Sequence, residues 1–85
     1  MEKGHLKNEL ISQANAQYPL KNKICPTFQN EGTATVYLDG RTLKPGESFS
    51  VNVPNVILQN AIPISFEQDA TKTKLLYIGY VELKS

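Results

Sequence analysis

The chain has 85 residues, with nine Lys and Arg against eight Asp and Glu and a formal net charge of +1. That length builds one small domain with a thin core, which excludes a multi-domain enzyme and leaves room for partners to supply stability. The balanced charge lacks the strong basic excess that phosphate backbones require, so nucleic acid is not the expected partner.

Cys25 is the single cysteine, which rules out an internal disulfide and a cysteine-built metal cage. No apolar run is long enough to span a bilayer, and Glu2, Lys3, Lys7 and Glu9 interrupt the stretch where a secretory signal would need apolar residues. The sequence therefore predicts a soluble, unexported chain without membrane insertion.

Taken in chain order, the first segment carries Leu6, Leu10 and Ala14 at intervals of four, with Ile11 beside them among polar residues. This spacing predicts an N-terminal arm or short helix over residues 1–16, too short to stand alone in water, that docks on its own domain, docks on a neighbour or stays loose. A β-sandwich domain is expected over 17–85. From Tyr18 the period becomes two, with Tyr18, Leu20, Ile24 and Phe28 on one parity. Pro19 and Pro26 lack an amide donor, which places this stretch at a sheet edge or breaks it near Cys25.

Asn30-Glu31-Gly32 reads as a turn and Thr33 to Leu38 as a strand. Asp39-Gly40 then predicts a two-residue type I′ hairpin pairing Leu38 with Arg41, Tyr37 with Thr42 and Val36 with Leu43. After the Pro45-Gly46 reversal, Phe49, Val51 and Val53 alternate with Ser48, Ser50 and Asn52 as a half-buried strand. A short apolar run from Val56 to Leu58 follows. Ile62, Ile64 and Phe66 then resume the alternation around Pro63, whose missing donor predicts an edge or a bulge. From Leu75 to Val81 both parities are apolar, so this strand is expected to be covered on both faces. Turn signals at sandwich-like intervals complete an all-β reading: a small antiparallel β-sandwich, jelly-roll-like or Ig-like, of six or seven short strands.

Chemistry is harder to find. His5 is the only histidine and sits in the arm, without a rigid scaffold to position an imidazole. Cys25 reads as a small hydrophobe beside Pro26, and Glu67 and Asp69 as solvated loop charges outside any calcium-loop pattern. Ser48 and Ser50 lack the glycine spacing of a nucleophile elbow, and Gly40 to Gly46 lacks that of a P-loop. No catalytic residue, metal ligand, cofactor or small-molecule substrate is expected.

Two binding alternatives remain. Tyr37, Tyr77 and Tyr80 could form stacking platforms on a single-strand-binding barrel, though the lysines are scattered among acidic residues. A carbohydrate- or surface-binding sandwich is the stronger alternative, weakened by the absence of tryptophan. The uncharged window from Leu75 to Val81 is a β-aggregation hazard unless covered, either as a central strand or at a subunit interface. Tyr77 and Tyr80 have opposite parity there, and the gap at Gly79 favours Tyr80 in the core with Tyr77 toward a partner. Leu6, Leu10, Ile11 and Tyr77 are thus the candidate interface residues.

The run Asn30 to Phe49 has the skeleton Asn-x-Gly, a strand, Asp39-Gly40, then Leu43-Lys44-Pro45-Gly46-Glu47-Ser48-Phe49. It resembles small β-sandwich virion proteins of bacteriophages, often those of Bacteroidetes hosts, over about a quarter of the chain. The resemblance implies a capsid, decoration, vertex or neck component made in the host cytoplasm, with protein partners: copies of itself or other virion proteins. It carries over no catalytic residues.

Overall fold

The computed structural model describes residues 4–52 and 58–83. Eight strands run in chain order: β1 Gly4–Ile11, β2 Asn15–Pro19, β3 Lys23–Asn30, β4 Val36–Leu38, β5 Arg41–Leu43, β6 Ser48–Ser50, β7 Ala61–Phe66 and β8 Leu76–Leu83. They form two four-stranded sheets, ordered β1-β8-β3-β6 and β2-β7-β4-β5. All pairings are antiparallel, and they nest: β1 with β8, β2 with β7, β3 with β6, β4 with β5. The architecture is all-β and sandwich-like, with eight strands instead of the expected six or seven.

The extra strand comes from the N-terminal segment. In place of the expected arm or short helix there is a strand, β1, paired along its whole length from Gly4 opposite Leu83 to Ile11 opposite Leu76. A spacing of four places Leu6 and Leu10 on one side of a helix, but it also places them on one side of a strand. Eight backbone pairings with β8 settle the segment as extended, and no helix occurs among the described residues.

The Asp39-Gly40 turn forms as predicted, with Val36 opposite Leu43, Tyr37 opposite Thr42 and Leu38 opposite Arg41. Asp39 and Gly40 have φ of 49° and 80°, both left-handed as a type I′ turn demands. Ile62, Ile64 and Phe66 all point into the core. Pro63, however, lies in a central strand between β2 and β4 and not at an edge. Its missing donor falls on the β4 side, where the ladder ends at Leu38 opposite Ile64 and Pro63 meets the Asp39 turn, accepting the Asp39 amide at 3.0 Å on its carbonyl. In β3 the break near Cys25 is a bulge between Ile24 and Thr27, with Cys25 at φ 49°. The bulge reverses the parity, so Ile24 pairs with Val81 and leaves the face that Phe28 occupies. Of the strand expected around Phe49, Ser48–Ser50 pairs with β3 as β6, and the Val51 amide donates to the Pro26 carbonyl at 2.9 Å. Val53 and the start of the Val56 run lie outside the described residues.

The core between the sheets is built from Phe28, Leu76 and Ile78 of one sheet and Val36, Leu38 and Ile64 of the other. Phe49 stacks on Phe28 with ring centroids 6.3 Å apart, and Leu58 packs at the periphery. One polar side chain, Asn30, is buried among them. Its Nδ2 donates to the carbonyls of Ala34 and Leu43, both at 2.9 Å, and its Oδ1 accepts the Gly32 amide at 3.0 Å. Gly32 is required beside it, because a Cβ there would strike the backbone of Thr73 and Leu75.

Two substitutions test these features. Asn30→Asp keeps the shape but turns the amide donor toward two carbonyls as an acceptor, and should cost at least ~2 kcal/mol in urea unfolding. Gly40→Val should cost about 1 kcal/mol or more, since a β-branched residue resists positive φ. With no atom within 4 Å of a Cβ at Gly40, that cost is purely conformational. Gly40→Asn should therefore melt close to the parent.

Candidate functional site

The first sheet has two unlike faces. Leu76, Ile78 and Tyr80 of β8 point into the core, while Tyr77, Gly79 and Val81 face outward. The expected coverage of β8 on both faces is therefore corrected. Its outer face is open within the monomer, with Val81 37% exposed.

The register extends this face across three strands, because residues directly opposite one another share a side of the sheet. One row runs Leu6, Val81, Ile24; the next Asn8, Gly79, Thr27; the third Leu10, Tyr77, Gln29. Leu6 is 84% exposed and Leu10 64%, values far above those of leucines that serve a core. Between these rows lies an open hollow of about 240 Å³ lined by Leu6, Cys25, Thr27, Tyr77, Gly79 and Val81. The Tyr77 ring folds over Gly79, where an added Cβ would lie 3.3 Å from it. The gap left by the glycine is thus filled from its own strand.

The structure therefore brings three of the four predicted interface residues, Leu6, Leu10 and Tyr77, onto one face. Ile11 lies on the opposite side and packs partly against the core, as strand geometry requires of a residue adjacent to Leu10. Val81 and Ile24 join the face without having been singled out. The signal for Val81 was its parity with Tyr77 and Gly79 on the same strand, whereas that for Ile24 was the cross-strand register past the bulge, which the sequence alone does not carry.

At the inner side of β1, the Tyr18 hydroxyl of β2 donates to the Glu9 carboxylate, tying the exposed strand to the other sheet. Lys23 places its ammonium over the Tyr18 and Tyr80 rings, 5.2 and 5.0 Å from their centroids, in cation–π contact. Burial, then the Glu9 carboxylate, pushes the Tyr18 hydroxyl far above the usual tyrosine value. Burial raises Tyr80 as well.

The other candidates resolve individually. Cys25 is half-buried and borders the outer hollow. Glu67 and Asp69 act as hydrogen-bond acceptors that close the loop before β8. Glu67 accepts the Thr35 amide at 3.1 Å and pairs with Lys72 at 3.1 Å, and Asp69 accepts the Thr71 amide and hydroxyl. The Thr35 amide and the Lys72 ammonium hold the Glu67 carboxyl below the usual value. Ser50 bonds Thr27 across strands. Among the described residues no group of three His, Cys, Asp or Glu side chains could hold a metal ion, and no helix is long and apolar enough to cross a membrane.

The tyrosines do not assemble a stacking platform: Tyr80 is in the core, Tyr77 faces out of the first sheet, and Tyr37 lies exposed on the second. At the opposite edge of the first sheet, Phe49 of β6 borders a groove, with the Arg41 guanidinium 4.2 Å from its ring centroid.

No protein-family model, no curated protein and no solved structure matches the chain.

The Tyr18 linkage sets an alkaline limit. A tyrosine raised in the fold stabilises fully below its unfolded value near 10 and loses that contribution as pH rises above it, because the unfolded chain releases the proton first. Melting temperature should fall above pH 10, and Tyr18→Phe should make that fall shallower. An equal slope in the variant would show that Tyr18 is not the group responsible.

Proposed function

We propose that the chain is a non-enzymatic structural protein, a subunit that associates through its first strand and the outer face of its first sheet. Its setting is a larger assembly, and the hairpin resemblance favours a bacteriophage particle. The nested pairing of eight strands, rolled into sheets ordered 1-8-3-6 and 2-7-4-5, supports a jelly-roll reading, an architecture used by viral capsid and lectin domains. Between those two uses, the surface favours assembly, since the exposed apolar side chains Leu6, Leu10 and Val81 gather on the first sheet, whereas Phe49 at the groove is partly buried, packed on Phe28 with Arg41 against its ring.

The observation that carries the proposal is the pair Leu6 and Leu10, 84% and 64% exposed on an edge strand beside Tyr77 and Val81. Contiguous apolar surface on a small chain marks an interaction site. Light scattering over a concentration series tests it. The parent chain should gain mass with concentration, and Leu6→Lys and Tyr77→Lys should lose that behaviour while melting normally, because a lysine would have to be desolvated against an apolar neighbour. Variants that associate like the parent would refute the assignment of this face.

A further inference from the structure

From the backbone of β1 we infer that the partner of this edge is a second copy of the same strand, paired antiparallel about Asn8. The inference rests on the proposed association through this face and names its occupant.

The four sheet edges are unequal. β5 and β6 have three residues each, and β2 carries Pro19 and a bulge. Short strands, prolines and bulges are the usual protection against edge-to-edge pairing. β1 has eight residues, no proline and an unbroken register with β8, and among the described residues nothing pairs with its outer side.

The direction of its free backbone groups follows from the ladder. Beyond Asn30 opposite Leu76, the Glu31 amide donates to the Leu75 carbonyl, while the Asn30 amide turns away to Glu47. In an antiparallel ladder, alternate residues bond alternate neighbours. Odd-numbered residues of β8 therefore bond β3, and even-numbered ones bond β1. Ile78 opposite Glu9 and Tyr80 opposite Lys7 are such pairs. On β1, Lys7 and Glu9 point their backbone groups inward, and Leu6, Asn8 and Leu10 present theirs to the open side.

A second β1 can satisfy those groups only by matching even-numbered residues with even-numbered ones. Centring the pair on Lys7 sets Lys7 against Lys7, and centring it on Glu9 sets Glu9 against Glu9; both oppose like charges. Centring it on Asn8 sets Lys7 against Glu9 in both directions and Leu6 against Leu10. On the outer face this joins Tyr77, Leu10 and the second copy's Leu6 and Val81 into one apolar row, with its symmetry mate alongside. Charge, apolar contact and hydrogen-bond direction select the same register.

The experiment uses the full chain and two charge variants, Lys7→Glu and Glu9→Lys, followed by sedimentation velocity, with melting curves as a check on folding. Each variant alone opposes like charges and should associate about tenfold or more weakly than the parent. Their equimolar mixture should recover association, because Glu at position 7 of one chain then meets Lys at position 9 of the other. A monomeric parent would overturn the inference, as would variants that associate like the parent or fail to complement on mixing. If Leu6→Lys and Tyr77→Lys disperse the parent's association but the charge variants do not complement, the face remains an interface and only the β1 pairing falls. A parent that does not associate at all removes both.

Discussion

The side chain of Asn30 is where the two sheets are fixed to each other. Its amide reaches Leu43 on β5 of the second sheet and Ala34 on the approach to β4, from a position at the end of β3 in the first. The surroundings are apolar, and a buried amide is tolerated there only because all three of its hydrogen bonds are made. Apolar contacts alone would hold the sheets together in many relative positions. The amide admits one, since a slip of either sheet strands two carbonyls and an amide in the core. Glu67 does similar work at the margin, carrying the Thr35 amide just before β4.

Local chemistry made part of this architecture legible. The Asp39-Gly40 hairpin was readable with its register because the turn type is dictated by two residues. The inward set Ile62, Ile64 and Phe66, and the opposed faces of Tyr77 and Tyr80, followed from the period of two. β1 was not legible as a strand, because Leu6 and Leu10 satisfy both periods and the pairing that decides between them involves residues at the other end of the chain. Pro63 misled for a related reason, since its missing donor meets the Asp39 turn where the β4 ladder ends, a pairing its neighbours in sequence do not reveal. Asn30 looked like a turn residue, and its acceptor on Leu43 could not be seen from its neighbours.

The candidate surface was legible in its residues but not in its extent. Leu6, Leu10 and Tyr77 stand out by composition and Val81 shares the parity of Tyr77, whereas Ile24 joins them only through the ladder and the bulge at Cys25. That bulge moves Ile24 from the inner parity to the outer one, enlarging the apolar face at the expense of the core. A thin core can tolerate such a loss where the exposed surface is covered in another way.

The nested strand order has a consequence for biosynthesis. β8 lies between β1 and β3 in the first sheet, so the strand that joins its two neighbours is made after both of them. Until it leaves the ribosome, β1 has neither of its edges satisfied and Phe28 has no Ile78 beside it. Closing a sheet between segments so distant in sequence is entropically costly and slow. Through that interval the nascent chain carries its most adhesive strand uncovered, which makes synthesis the period of greatest exposure to misassembly.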